Sequence, residues 1–144
     1  MTTRLKAPDR EACKRIGRSV RQRLESDPGI YKLPTDLAEI YAPCTIVEVL
    51  VSEALGFCPR GQGAKQATEG ETAIGGRIPI CTSGGLLSRG HPAYVTALYS
   101  YFELLEQLRG RGGPRQVKNA ELGLACTELG NYNAAMVHIM EAVA

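Results

Sequence analysis

The segment from Ala93 to Arg109, AYVTALYSYFELLEQLR, sets Val95, Leu98, Phe102 and Leu105 three or four residues apart and stops at Gly110. That period predicts an amphipathic helix, and a helix with an apolar face needs a second layer to cover it. Its flanks suggest what that layer is. Upstream, RIPICTS (77–83) reads as a brief strand running into glycines, and downstream GRGGP is a surface turn. Glu121 to Thr127 and Ala134 to Ile139 are apolar strands about LGNYN, which reads as a hairpin.

Toward the N-terminus, Asp36 to Tyr41 (DLAEIY) reads as a short strand and Thr45 to Gly56 as a helix, with Thr45 and Glu48 spaced for a capping box. Phe57 to Arg77 is rich in Gly, Gln and Thr without a helical period, so a long loop is expected. From Pro8 to Ser26, Ala12, Ile16, Val20 and Leu24 recur every four residues beside a basic side, and DPG ends that helix. The basic side is either a solvated face or one that docks on a partner or anionic ligand. The order helix, strand, helix, short strand, helix, strand, strand predicts an α/β unit in which a mixed β-sheet is layered with helices. A chain of 144 residues is the size of one domain, here 1–144 with the amphipathic helix and turn occupying 1–29.

Seventeen basic against fifteen acidic residues leave a net charge of +2, which gives no case for nucleic acid or membrane as partner. The cysteines at 13, 44, 58, 81 and 126 are odd in number and lack a C-x-x-C pairing, so they read as reduced thiols in a cytoplasm rather than as a disulfide frame or zinc site. No apolar run approaches the ~18 residues that span a bilayer, and an exported or membrane-embedded chain is not expected. The phosphate-binding loop, the complete dinucleotide-binding glycine motif and the H-E-x-x-H metal pattern are all missing, so no metal is expected.

Three turns beside strands carry side chains capable of chemistry: Tyr41 in EIYAPCT, His91 in SGGLLSRGHP and Cys126 in ACTELGNYN. Loops beyond strand ends are where sites gather in α/β sheets. A histidine and a thiol brought together there can form an ion pair or a proton-transfer pair, because an adjacent imidazolium lowers a thiol's pKa. Each also has a plainer reading. His91, between Gly90 and Pro92, suits a solvated turn; Cys126 suits a small buried hydrophobe; Tyr41 suits a half-buried strand position. Cys13, Cys44, Cys58 and Cys81 are read as structural, and at least two of Tyr94, Tyr99 and Tyr101 as packing residues.

GGLLSRGHP, the helix ending QLRG, and RQVKNAELGLACTELGNYNAAMVHIM together resemble the C-terminal half of a thiolase, of the branch similar to sterol carrier protein X. DLAEIYAPCTIVEVLVSEALGFCPRGQG extends the resemblance, which covers roughly residues 30–142. It implies a five-layered α/β/α/β/α fold of two similar halves, with active sites where the halves meet. His91 matches the histidine of the G-H-P motif, which activates the nucleophilic cysteine and helps bind the thioester oxygen. Cys126 falls where many thiolases place the cysteine that moves the α-carbon proton. By the same resemblance Ser83, Gly84 and Gly85 shape the backbone near the acyl thioester, and Tyr94, Gly130 and Tyr132 are substrate-binding, Tyr94 standing where a glycine is usual. The first-half nucleophile has no counterpart in these residues.

The resemblance implies a small subunit of a two-chain thiolase-like enzyme that forms or cleaves a carbon–carbon bond in an acyl-CoA substrate. Coenzyme A enters as part of the substrate and no other cofactor is expected. The implied partners are a separate chain resembling the N-terminal thiolase half and an OB-fold/zinc-ribbon acyl-CoA-associated protein. YAPC replaces the family's usual N-E-A-F or H-D-A-F, so Tyr41 puts a phenol where another oxyanion donor normally sits. Steroid side-chain aldolases of the superfamily also carry tyrosine there, although they generally lack the histidine retained here as His91. Retro-aldol cleavage of a 3-hydroxyacyl-CoA is therefore the second reading, and a non-catalytic acyl-CoA-binding or scaffolding subunit the third.

Overall fold

Strand β1 (Leu37–Ile40) runs parallel to β2 (Leu122–Leu129), which pairs antiparallel with β3 (Ala134–Glu141), in the order β1-β2-β3. The computed structural model describes residues 35–92, 94–129 and 134–142. The expected helix at 8–26 and its turn, Cys13, Gly130 and Tyr132 lie outside them, as does most of the hairpin turn. The mixed sheet read from the sequence is present. All four residues of β1 are buried, as a parallel strand covered on both faces should be. Around the sheet are α1 (Thr45–Ala54), α2 (Gly63–Thr68), α3 (Gly85–Arg89), α4 (Thr96–Leu108) and a 3-10 turn at Gly113–Arg115. No helix among the described residues is long and apolar enough to cross a membrane.

Several local expectations need correcting. The strand expected in RIPICTS shrinks to one parallel bridge, in which the Ala38 N–H donates to the Pro79 carbonyl (2.9 Å) and the Cys81 N–H to the Ala38 carbonyl (2.8 Å). Pro79 has no N–H to give and Cys81 turns away at φ +51°, so the ladder cannot lengthen. The loop expected at 57–77 contains α2, whose six residues GAKQAT are too few to show an apolar period. The capping box does not form. Cys44 takes the N-cap position with extended backbone, which puts Thr45 inside the helix where its hydroxyl cannot cap it. Helix α4 starts at Thr96 rather than Ala93, because Tyr94 has φ +69° and interrupts the helical backbone before it.

The sheet carries apolar packing on both faces. On one, Ile40, Phe57, Ile78, Ile80 and Leu124 gather with Val51 of α1 and Leu55, which caps its C-terminus. On the other, Leu37, Leu104, Val117 and Ala125 pack with Tyr101 and Leu108 of α4. Burial of Leu104, none of whose surface is exposed, contributes about 2 kcal/mol. The close approach of α4 depends on Gly123, where a Cβ would come within 2.9 Å of Leu104 Cδ2.

Helix α4 is turned against its sequence pattern. Leu98 and Phe102, on the face with the helical apolar period, are 63% and 62% exposed, while Ser100, Glu103 and Gln107 face inward with Leu104. The inward polar groups find partners. Gln107 Nε2 donates to Glu103 Oε1 (3.1 Å) and the Arg115 carbonyl (2.9 Å), and Gln107 Oε1 accepts from the Val117 N–H (2.8 Å). The Thr82 hydroxyl donates to Glu103 Oε1 at 2.9 Å, and Arg115 Nη2 reaches Glu103 Oε2 at 3.0 Å. Burial acts to raise the Glu103 carboxyl, but bonds from Arg115, Gln107 and Thr82 outweigh it and hold the group below its ordinary value.

Candidate active site

Tyr41 leaves the end of β1 with its N–H still donating to the Cys126 carbonyl of β2 at 2.8 Å, so its position is inherited from the sheet ladder. His91 arrives from the opposite direction. Gly84, at φ +84°, opens α3 at a point where a Cβ would meet Ser88 Oγ at 2.2 Å, and Gly90, at φ +86°, ends that helix one residue before His91. The Tyr41 hydroxyl and His91 Nε2 then lie 3.0 Å apart, with the rings edge-on at 63° and centroids 5.5 Å apart.

Burial raises the Tyr41 phenol above its usual value, helped by the negative charges of Glu128 and Cys44. It therefore stays protonated at neutral pH and donates to an unprotonated imidazole. When the imidazole is charged, its N–H donates back to the phenol oxygen. The pair can thus pass a proton in either direction across one hydrogen bond.

Tyr41 also lines a cavity of about 360 Å³ whose other walls include Val47, Leu50 and Val51 of α1 with Cys126 and Thr127 of β2. This is the size and apolar character of a small-molecule pocket. Cys126 is buried, and desolvation pushes its thiol above the ordinary value, so it faces the cavity as a neutral thiol. Tyr41 is the hinge of the arrangement, sharing a hydrogen bond with His91 and a cavity with Cys126. Among the described residues no hydrogen bond joins His91 to Cys126.

Of the other expected residues, Ser83 has its Oγ buried with no hydrogen-bond partner among the described residues, and Gly85, at φ +58°, sits where a Cβ would come 3.2 Å from Cys81. Cys81 donates to the Ile40 carbonyl at 3.4 Å and burial pushes its thiol up to about 12, consistent with a structural role. Cys58 is buried as well, whereas Cys44 is exposed. Tyr94 is fully exposed and lies away from the cavity walls. At φ +69° it holds a conformation that costs a non-glycine residue roughly 1 kcal/mol. Tyr94→Gly is expected to raise stability by up to ~0.5 kcal/mol, net of glycine's greater unfolded-state entropy, and chemical denaturation would measure it. Two groups escaped sequence reading: Glu39, an acid inside an apolar strand, and Arg89, two residues before His91. A carboxylate flanked by buried strand residues was the available signal.

A family model described as thiolase C-terminal domain-like matches residues 14–142. The chain belongs to this thiolase family. Acetyl-CoA acetyltransferase of Methanothermobacter thermautotrophicus is 41% identical over 104 residues, covering 72% of this chain and 27% of the relative. Human sterol carrier protein 2 is 45% identical over 89 residues, covering 62% of this chain and 16% of the relative. The chain thus spans about a quarter or less of the length of these relatives. The solved Ltp2-ChsH2(DUF35) aldolase superposes with a TM-score of 0.62 at 25% identity, covering 88% of this chain and 32% of that one. The thiolase family match begins sixteen residues before the resemblance at 30–142 and ends with it.

Proposed function

We propose that this chain supplies the second-half residues of a thiolase-like active site that makes or breaks a carbon–carbon bond next to a CoA thioester, and that a separate chain resembling a thiolase first half completes the site. The observation that carries this reading is the hydrogen bond between His91 and Tyr41, which itself lines an apolar cavity together with Cys126. Carbon–carbon chemistry beside a thioester passes through an enolate. It needs a donor for the enolate oxygen and a group that exchanges a proton. Tyr41 is the protonated donor and His91 the exchanging group, while Val47 and Val51 exclude water from one side. The exposed apolar stripe of α4 supports the partner half, since such a face is ordinarily covered.

Retro-aldol cleavage is the second reading, favoured by the phenol held on His91 and by the neutral state of Cys126. There the 3-hydroxyl loses its proton to the pair, the bond between C2 and C3 breaks, C3 becomes a carbonyl carbon, and the electrons move into the thioester enolate, which is reprotonated at C2. The aldolase name among the structural relatives joins two components, which supports a further partner such as an OB-fold/zinc-ribbon acyl-CoA-associated protein. The test is to co-purify the chain with its first-half partner and assay a 3-ketoacyl-CoA with free CoA, and a 3-hydroxyacyl-CoA alone. Cleavage of the first supports thiolysis and of the second the aldolase. Acyl-CoA binding without cleavage of either would replace both with a non-catalytic binding subunit.

A further inference from the structure

Glu39 is completely buried in β1, and Arg89 at the end of α3 points back toward it, with Nη2 3.8 Å from Glu39 Oε2. Among the described residues Glu39 Oε2 accepts no hydrogen bond and Arg89 Nε donates none, although both atoms are buried. Leaving buried polar atoms open is costly, and an apolar pair of similar volume would often serve the fold as well. The location of the pair gives it a use. Glu39 and Tyr41 are two residues apart along β1 and its extension, and Arg89 and His91 are two residues apart on the facing segment. Glu39 meets Arg89 as Tyr41 meets His91, so two rungs cross-link the same pair of segments. Arg89 is steered from a third side by α4, where Nη1 donates to the Tyr99 carbonyl at 3.2 Å and the guanidinium carbon lies 5.3 Å from the centre of the Tyr99 ring.

We propose that the buried Glu39–Arg89 pair is the positioning device for His91, clamping residues 89–91 to β1 so that the imidazole meets Tyr41. This rests on the reading of Tyr41 and His91 as the reacting pair. The clamp is pH-dependent. Burial pushes the Glu39 carboxyl up to about 7; Arg89 opposes the rise, Glu103 adds to it, and the Thr82 hydroxyl opposes it. Arg115 and Cys81 also lie within its field. Below that pH Glu39 is neutral and the attraction for Arg89 fades; above it the pair is charged and the clamp is strong. Stability runs the other way. A carboxyl raised from 4.5 to about 7 contributes stability fully below pH 4.5, and that contribution is lost as pH rises through 7. Glu39→Gln, which stays neutral, is therefore expected to melt no lower than the parent chain at pH 8 while losing the clamp.

The experiment uses the full chain labelled with ¹⁵N in arginine and histidine; two histidines in the sequence make the ring signals easy to assign. The parent is expected to show an inflection in the Arg89 Nε resonance near pH 7 that Glu39→Gln abolishes. The His91 Nε2 signature of the bond to Tyr41 is expected to weaken in Glu39→Gln and Arg89→Met and to return partly in Arg89→Lys. With the first-half partner, Glu39→Gln is expected to lower kcat about tenfold or more at unchanged KM, because small misplacement of a reacting group costs rate. A folded Glu39→Gln that keeps the parent's His91 signature across pH would overturn the clamp. Should Arg89→Met fail to fold, Glu39→Gln and Glu39→Asp decide the matter alone. Failure of carbon–carbon cleavage by the parent complex overturns the reaction reading but leaves the resonance measurements as an independent test of the clamp.

Discussion

On the proposed reading, His91→Ala is expected to lower kcat of the two-chain complex by about 10²- to 10⁴-fold while leaving KM for the acyl-CoA nearly unchanged. The side chain is exposed and its one described hydrogen bond is to Tyr41, so its loss should change folding stability by no more than ~0.5 kcal/mol. A fall in rate would then belong to the chemistry. Tyr41→Phe removes the other end of the same bond and should cost about 10²-fold; the double variant should be little worse than His91→Ala, because the two act as a unit. Cys126→Ala separates the two reactions. If the thiol moves the α-proton, as the thiolase pattern implies, its removal lowers kcat comparably; if it only walls the cavity, cleavage of a 3-hydroxyacyl-CoA survives. Steady-state rates with both substrates make the distinction, and full activity in both His91→Ala and Cys126→Ala would sink the thiolase mechanism.

The second large effect is expected at α4. Leu98→Glu with Phe102→Glu should weaken association with the proposed first-half partner by about 10²- to 10⁴-fold, since covering each of these side chains is worth about 1.5–3 kcal/mol. Both are more than three-fifths exposed in this chain, so neither change should lower its own melting temperature appreciably. Titration calorimetry of the two chains, beside a melt of the variant alone, checks both halves of the expectation. An unaltered affinity would mean that another surface carries the contact. Tyr99→Ala, on the same stripe but also holding Arg89 through ring contact, should weaken association and disturb the His91 segment together.

The sheet was legible because its signals are local. DLAEIY, ELGLACT and AAMVHI carry the apolar runs that buried strands need, and their order alone implied a mixed sheet. The orientation of α4 was not legible for a different reason. Spacing at 95, 98, 102 and 105 shows that a stripe exists, but nothing in the period says whether the stripe meets this chain's sheet or another surface. Here Glu103 and Gln107 turn inward because Thr82, Arg115 and the Val117 N–H, which lie outside the helix, bond to them. The site was partly legible. The turns holding Tyr41, His91 and Cys126 are legible from strand ends and from family motifs, whereas which of them meet is not: the described hydrogen bond joins Tyr41 to His91, and Tyr41 and Cys126 share a cavity. Glu39 went unnoticed because one acid in a four-residue strand reads as an outward-facing side chain until the second face is known to be covered.

The polar inner seam of α4 also bears on the history of the molecule before it has a partner. Gln107, Glu103, Thr82 and Arg115 close on one another, so α4 is fastened to the segments at Thr82 and Arg115 by bonds within this chain. On the proposed two-chain reading, folding and docking would then be separate events in time. If the proposed two-chain reading holds, the chain presents Leu98 and Phe102 until its partner covers them, so the interval between synthesis and capture would be the period of greatest risk for self-association.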